Sequence, residues 1–166
     1  MTNKVILVLN NIRSAHNVGA ILRTADGLGV EKVFLCGYTP YPISNHDTRL
    51  PHLAHKIDSK IAKTALGAEK SQDWAYVKDI KLTIDSLKND GYQLVALEQS
   101  SQSTDLTNIK PSSKLALIVG NEIDGVDSDV LKDCDITAEI PMRGKKESFN
   151  VSVATGIALF YIIEMV

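Results

Sequence analysis

Short apolar segments recur along the chain and alternate with segments of helical periodicity. Five runs of mostly apolar residues are bounded by polar or turn-forming residues: 4–9, 32–36, 92–97, 114–119 and 136–140. Continuous runs of this length are typical of strands that are buried on both faces of a sheet. Their alternation with helices predicts an α/β domain with a mostly parallel sheet and helices on both faces.

Apolar residues at helical spacing occupy the segments between these runs. We predict a first helix that Asn17 caps and that Gly27 ends, and a strongly apolar final helix over residues 151–165. Shorter helices are predicted over residues 59–65, 77–88 and 127–133. The segment 37–53, rich in Pro, Asn, Asp and Gly, is interpreted as a loop.

The length and charge of the chain limit the kinds of protein it can be. Its 166 residues fit one domain with a core around a single sheet. No apolar run is long enough to span a membrane and no cleavage site follows the first run, so we expect a cytoplasmic protein. The formal net charge of −2 argues against a nucleic-acid partner unless basic residues gather on one face.

Several common ligand-binding motifs are absent from the sequence. It has no G-x-G-x-x-G fingerprint after a first strand, no G-x-x-x-x-G-K-[ST] loop and no G-x-S-x-G elbow. These absences disfavour NAD binding, ATP hydrolysis and serine hydrolase chemistry. His46, His52 and His55 lie in the predicted loop region without a known pattern of further ligands, so we interpret them as solvated and expect no metal.

Three segments that follow predicted strands carry unusual residues. Arg23 lies among apolar positions of the first helix, which suggests a side chain that is partly buried or directed at a cleft. Gly120 and Gly125 bracket Glu122, which is typical of a tight turn or of a backbone that a ligand approaches closely. In the third segment, 140–154, Ser148 or Asn150 can cap the final helix.

Together the three segments resemble the signature motifs of the SpoU-type RNA 2′-O-ribose methyltransferases, in the SPOUT superfamily. The matching residues are Asn11, Arg13, Asn17, Gly19, Arg23 and Ala25, then Gly120, Glu122 and Gly125, and finally the stretch 140–154. Their order and spacing match over nearly the whole chain. Phe149 stands where leucine is commoner, which should change the packing of a pocket without changing the chemistry.

The resemblance implies a fold and an assembly. It implies a parallel sheet with a C-terminal trefoil knot, and a homodimer whose active site takes residues from both subunits. Because the first strand begins at once, we expect residues 1–166 to form a single catalytic domain without an N-terminal RNA-binding extension.

The resemblance also implies the reaction. S-adenosyl-L-methionine would donate a methyl group to a ribose 2′-hydroxyl of structured RNA, either tRNA or rRNA, and no metal would be needed. The cofactor would be held mainly by main-chain groups. By position, the cofactor-binding residues are Leu97, Glu98, Gly120, Ile140, Met142, Ser148, Phe149 and Asn150.

Roles for individual side chains follow from the same resemblance. Arg23 would hold the 2′-oxygen, and a phosphate oxygen or water would take the proton, because a guanidinium is effectively always protonated. Asn17 would brace Arg23, Glu122 would fix its loop or pair with an arginine, and Ser148 and Asn150 would orient Arg23 or the ribose. RNA contacts are expected from Arg13, Arg49, Arg143, Lys145 and Lys146.

Two other functions compete with this interpretation. One is a catalytically idle RNA-binding dimer that keeps the fold, although Arg23, Ser148 and Asn150 are all present. The other is a small-molecule enzyme with an S-adenosyl-L-methionine or nucleotide ligand, which the acidic composition favours and the three matching segments disfavour.

Overall fold

The computed structural model describes residues 4–165, which form seven strands and six α-helices. The strands are β1 (Lys4–Asn10), β2 (Lys32–Cys36), β3 (Trp74–Val77), β4 (Gln93–Leu97), β5 (Thr104–Asp105), β6 (Lys114–Val119) and β7 (Ile136–Glu139). The helices are α1 (Ala15–Gly27), α2 (Pro51–Ala65), α3 (Ala68–Ser71), α4 (Ile80–Asn89), α5 (Ser128–Asp133) and α6 (Val151–Met165). A short 3₁₀ helix covers Leu106–Asn108.

All neighbouring strands of the sheet run parallel, in the order β3-β2-β1-β6-β4-β7-β5. The chain therefore places β6 between β1 and β4, although these strands are far apart in sequence. Val119 at the end of β6 pairs with Leu9 in β1 and with Leu97 in β4. The loops that follow these three strands consequently meet at one edge of the sheet, where ligands of open parallel sheets usually bind.

The sheet has a hydrophobic core on each face. Leu115, Leu117 and Val119 of β6 pack with α1, α2 and α6, whereas Ala116 and Ile118 pack with α4 and α5. This strict alternation explains why the strand reads as a continuous apolar run. The predicted α/β class with a mostly parallel sheet is confirmed, and the trefoil knot stays a prediction.

The structure corrects the prediction for three elements. Helix α2 begins at Pro51 inside the segment interpreted as a loop, because proline is well suited to the first turn of a helix. Strand β3 (Trp74–Val77) was missed because its apolar run has only four residues and ends in Val77, which was assigned to the predicted helix over 77–88. Ser14, not Asn17, caps α1, and its hydroxyl accepts a hydrogen bond from the Asn17 backbone N–H.

Helix α6 has the predicted bounds and is apolar on two sides. Ala158, Leu159 and Ile162 are buried against the sheet. Val153, Ile157 and Phe160 follow i, i+4, i+7 spacing and are 50%, 40% and 58% exposed; we call them the α6 stripe. Within residues 4–165, no helix is both long enough and apolar enough to cross a membrane.

Helices α1 and α2 cross at Gly19 with almost no space between their backbones. A Cβ atom at Gly19 would lie 2.2 Å from the Ile61 carbonyl oxygen and 2.2 Å from Thr64 Oγ1. Side chains cannot approach a backbone oxygen this closely, so only glycine allows this crossing.

We expect Gly19→Ala to lower the free energy of unfolding by about 1–3 kcal/mol, because the added methyl group forces α1 and α2 apart. Gly27→Ala is the matched control, since no heavy atom lies within 4 Å of its added Cβ. Urea unfolding should show Gly27→Ala to be neutral or stabilised by up to about 1 kcal/mol. Equal effects of the two substitutions would contradict the close crossing.

Candidate functional site

A cleft of about 210 Å³ lies at the carboxyl ends of β4, β6 and β7. Leu97 in β4 pairs with Val119 in β6 and with Ala138 in β7, which brings the three following loops together. The cleft is lined by Leu97, Glu98, Gln99, Val119, Gly120, Asn121, Glu122, Ile123, Asp124, Gly125, Glu139, Ile140, Ser148, Phe149, Val151 and Ala154.

The Glu122 carboxylate joins the loop after β6 to the loop after β1. It accepts hydrogen bonds from the Arg13 N–H at 2.9 Å, the Ser14 N–H at 3.1 Å and Asn17 Nδ2 at 2.9 Å. Burial alone would raise the pKa of Glu122, but the hydrogen bonds from Arg13, Asn17 and Ser14 outweigh it and lower the pKa. These contacts favour the first of its two predicted roles, fixing its loop, while pairing with an arginine of a partner subunit stays a prediction. It meets the backbone of Arg13 and not the guanidinium.

Asn17 connects Glu122 with the start of α6. While its Nδ2 donates to Glu122, its Oδ1 accepts a hydrogen bond from Asn150 Nδ2 at 3.2 Å. Asn150 also caps α6, since its Oδ1 accepts from the Ser152 N–H at 2.8 Å and its carbonyl oxygen from the Ala154 N–H at 2.9 Å. Three predicted catalytic residues thus form one hydrogen-bonded chain that holds the three loops together.

Two glycines and Glu98 shape the loop that forms one wall of the cleft. A Cβ atom at Gly120 would lie 2.3 Å from the Gly125 carbonyl oxygen, and Gly125 has a φ of +73°. Asn121 and Gly125 exchange two backbone hydrogen bonds of 2.9 Å. Glu98 Oε2 accepts from the Val126 N–H at 2.7 Å, in the space that a side chain at Gly125 would fill. Close backbone approach therefore requires glycine at position 120, and the positive φ together with the adjacent Glu98 carboxylate requires it at position 125.

Most of the predicted cofactor-binding residues line this cleft. The six that do are Leu97, Glu98, Gly120, Ile140, Ser148 and Phe149. Met142 and Asn150 lie in the same loop region without lining it. Nine further residues line the cleft and were not predicted from the sequence as cofactor contacts: Gln99, Val119, Asn121, Ile123, Asp124, Gly125, Glu139, Val151 and Ala154. Their position next to the predicted residues at the ends of β4, β6 and β7 is the signal that could have identified them.

Arg23 is exposed and does not line the cleft of its own chain. It borders a separate hollow with Lys63, Thr64 and Leu66. Arg23 lies six positions after Asn17, which corresponds to about 9 Å along α1. The expectation that Arg23 is partly buried is therefore wrong for this chain by itself, and Asn17 bonds to Glu122 and Asn150 instead of bracing Arg23.

The residues predicted to contact RNA occupy two kinds of environment. Arg13 and the loop residues Arg143, Lys145 and Lys146 are exposed. The fifth residue, Arg49, is largely enclosed and has a structural role instead.

The Arg49 guanidinium organises the loop that precedes α2. It is paired with Asp47, donates to the Tyr41 carbonyl oxygen at 2.9 Å and to that of Pro42 at 3.2 Å, and lies 3.7 Å from the Tyr41 ring centroid. The hydrogen bonds from Arg49 hold the pKa of Asp47 well below its usual value. Because these contacts engage the guanidinium, the placement does not favour its predicted contact with RNA.

The histidines considered as metal ligands are not gathered into a site. His52 and His55 lie on the exposed side of α2, not in a loop, and His46 lies in the loop before it. Among residues 4–165, no group of three or more His, Cys, Asp or Glu side chains could hold a metal ion.

Comparison with known proteins identifies close similarities. The model of the SpoU rRNA Methylase family matches residues 4–160. A tRNA (guanosine(18)-2′-O)-methyltransferase from Borreliella burgdorferi is 30% identical over 167 residues, covering 98% of this chain and 67% of that protein. The crystal structure of an AdoMet-bound rRNA methyltransferase from Sinorhizobium meliloti superposes with a TM-score of 0.82 at 25% identity. An Aquifex aeolicus TrmH/SpoU tRNA modifying enzyme superposes with a TM-score of 0.80 at 27% identity.

These relatives are longer than this chain. The superposition covers 99% of this chain and 57% of the Sinorhizobium chain, and 98% of this chain and 75% of the Aquifex chain. The shared region contains the sheet, the cleft and all three matching segments.

We expect Glu122→Gln to lower the free energy of unfolding at pH 7 by about 1–2 kcal/mol, because an amide cannot accept all three hydrogen bonds. Since folding lowers the pKa of Glu122, its stabilising effect is present above the carboxyl's ordinary pKa and is lost as the pH falls through the lower, folded value. Urea unfolding between pH 7 and pH 3 should therefore show the two proteins converging in stability.

Glu147→Gln is the matched control, because Glu147 is exposed in the loop before α6. It should change stability by less than about 0.5 kcal/mol at every pH. A Glu122→Gln effect that stays constant from pH 7 to pH 3 would contradict the role assigned to the ionised carboxylate.

Proposed function

The chain belongs to the SpoU rRNA Methylase family, and we propose that it transfers a methyl group from S-adenosyl-L-methionine to a ribose 2′-hydroxyl of structured RNA. The observation that carries this proposal is the cleft at the ends of β4, β6 and β7. Glu98 and Glu122 hold the glycine-bracketed wall of this cleft in place. The relatives named above act on tRNA or rRNA, which supports RNA as the substrate.

The lining of the cleft fits S-adenosyl-L-methionine, which when bound supplies an electrophilic methyl group on a positively charged sulfur. The backbone of Gly120 lines the cleft, while Val119, Phe149 and Ala154 offer apolar surface for a planar base. Asp124 and Glu139 add carboxylates that suit a cation and that can accept hydrogen bonds from hydroxyl or ammonium groups. The cleft volume of about 210 Å³ is below the roughly 300 Å³ at which small-molecule sites usually begin. A second surface that closes the cleft would make up the difference.

Arg23 would stabilise the reacting ribose oxygen. Negative charge grows on the 2′-oxygen as the hydroxyl loses its proton, and a fixed guanidinium beside it stabilises that charge and lowers the barrier to attack on the methyl carbon. The guanidinium stays protonated, so a phosphate oxygen of the RNA or a water molecule takes the 2′-hydroxyl proton. The methyl carbon would gain a bond to oxygen and lose its bond to sulfur. The electron pair of the broken bond would stay on the sulfur, which leaves as a neutral thioether.

Arg23 would act in the cleft of a partner subunit, because it does not line the cleft of its own chain. The α6 stripe supports such a homodimer, since exposed apolar patches of monomers commonly mark protein–protein contacts. Phe149, two residues before the same helix, is 40% exposed and also lines the cleft. An interface over α6 would therefore adjoin the cofactor cleft.

The reaction is tested by incubating the protein and its Arg23→Ala variant with methyl-labelled S-adenosyl-L-methionine and separate pools of unmodified tRNA and rRNA. We expect label in one pool as alkali-resistant 2′-O-methyl nucleotides. Arg23→Ala should reduce the rate by about 10²-fold or more, because it removes a charge that stabilises the transition state, while cofactor binding stays unchanged. Lys110→Ala is the control, since it removes an exposed cation before β6, at the opposite end of the sheet.

Two results of this assay would contradict the proposal. Full activity of Arg23→Ala would remove the arginine from the mechanism. If the protein binds RNA but neither binds the cofactor nor labels either RNA pool, the result would point instead to a catalytically idle RNA-binding dimer.

Mixing two inactive variants tests whether the active site is shared between subunits. Arg23→Ala keeps an intact cleft, whereas Gly120→Ala keeps Arg23 and disturbs the cleft. In a shared site, subunit exchange should restore about a quarter of the wild-type activity, because half of the dimers are mixed and each has one complete site. If Arg23 serves its own chain, the mixture stays inactive.

The same mixing experiment carries its own control. Adding Ile157→Asp to both variants places a charge in the α6 stripe and should abolish the recovery together with the dimer mass measured by sedimentation. Recovery of activity in protein that sediments as a monomer would contradict the proposed assembly.

A further inference from the structure

Three lysines form a row along the exposed side of α2. Lys56, Lys60 and Lys63 follow i, i+4, i+7 spacing and are all exposed, opposite the buried Ala54 and Ile61. The row extends for about 10 Å along the helix axis. We call these three residues the lysine row.

The charge around the lysine row is positive although the whole chain is slightly acidic. Helix α2 contains a single acid, Asp58, which is half-buried and accepts a hydrogen bond from the Ile43 N–H at 2.9 Å. His52 and His55 are exposed on the same helix. The formal net charge of −2 therefore hides a local surface that attracts anions.

The lysine row ends beside Arg23. Lys63 and Arg23 border the same hollow, between α1 and α2. The two helices hold a fixed relative position, since they cross closely at Gly19 and Thr64 Oγ1 donates to the His16 carbonyl oxygen at 2.8 Å. The four cations consequently form one continuous surface on two rigidly packed helices.

We propose that the lysine row binds consecutive backbone phosphates of the substrate RNA and guides the strand to Arg23. This inference rests on the proposed function, because it takes Arg23 as the residue that meets the reacting ribose. A nucleic-acid strand carries one charge every few ångströms, which matches a row of cations along one helix face. A contact between subunits does not fit this face, because the centres of protein–protein interfaces are depleted of charged residues.

The test compares two triple variants of the full chain by direct binding to unmodified tRNA and to rRNA over a range of salt concentrations. K56Q/K60Q/K63Q removes the lysine row. K81Q/K88Q/K132Q removes the same number of charges from α4 and α5, which pack on the other face of the sheet, where these lysines pair with acids.

We expect the α2 variant to bind the preferred RNA about ten- to hundredfold more weakly at 0.1 M salt, with a slope of log affinity against log salt that is smaller by about 2. Its KM for RNA should rise while kcat and the affinity for S-adenosyl-L-methionine stay unchanged, which also shows that the variant is folded. The control variant should bind RNA like the wild type.

Equal RNA affinities of the α2 variant and the wild type would overturn the proposal. Equal losses of RNA affinity in both triple variants would also overturn it, because they would show that only the net charge of the protein matters. Because binding is measured without turnover, these outcomes decide the role of the lysine row even if the wild type methylates neither RNA. Absence of methylation with intact RNA binding would count against the proposed function alone.

Discussion

The Glu122 carboxylate accepts three hydrogen bonds, two from the loop between β1 and α1 and one from Asn17 in the first turn of α1, all more than 100 residues away in sequence. Glu98 makes a comparable contact to the Val126 N–H from the end of β4. Hydrogen bonds from backbone N–H groups to carboxylates are stronger than those between neutral groups, because the acceptor is charged. The shape of the cleft depends on these two contacts, because they fix the glycine-bracketed loop against the strand ends on either side.

The arrangement separates the place where a cofactor fits from the residue that the reaction requires. The cleft is built from the ends of β4, β6 and β7, while Arg23 faces a hollow on the far part of α1. A shared site in a homodimer would join the two. It would also bring the lysine row of α2 towards the cleft, since that row adjoins Arg23. RNA binding and catalysis would then depend on the packing of α1 against α2, and assembly on the α6 stripe.

Much of the fold could be predicted from the sequence because it follows from local patterns. The apolar runs of β2, β6 and α6 predict the first and last residue of each element, since these segments are long or buried on both faces. The start of α2 could not be predicted from its local sequence, because proline is common both in loops and in first helical turns. Strand β3 could not be predicted either, because it is a short, half-exposed edge strand. Seven cleft residues, Glu122 among them, were predicted from the family resemblance. The surroundings of Arg23 and Arg49 could not be predicted, because they depend on contacts that no single segment contains.

The most direct test of the shared active site is a crystal structure of the protein with S-adenosyl-L-homocysteine, the demethylated form of the proposed cofactor. We predict that this molecule lies in the cleft against the backbones of Leu97, Gly120 and Ile140, with its sulfur facing Arg23 of the partner subunit. Binding at another place, or a sulfur that faces Arg23 of the same chain, would contradict the shared site.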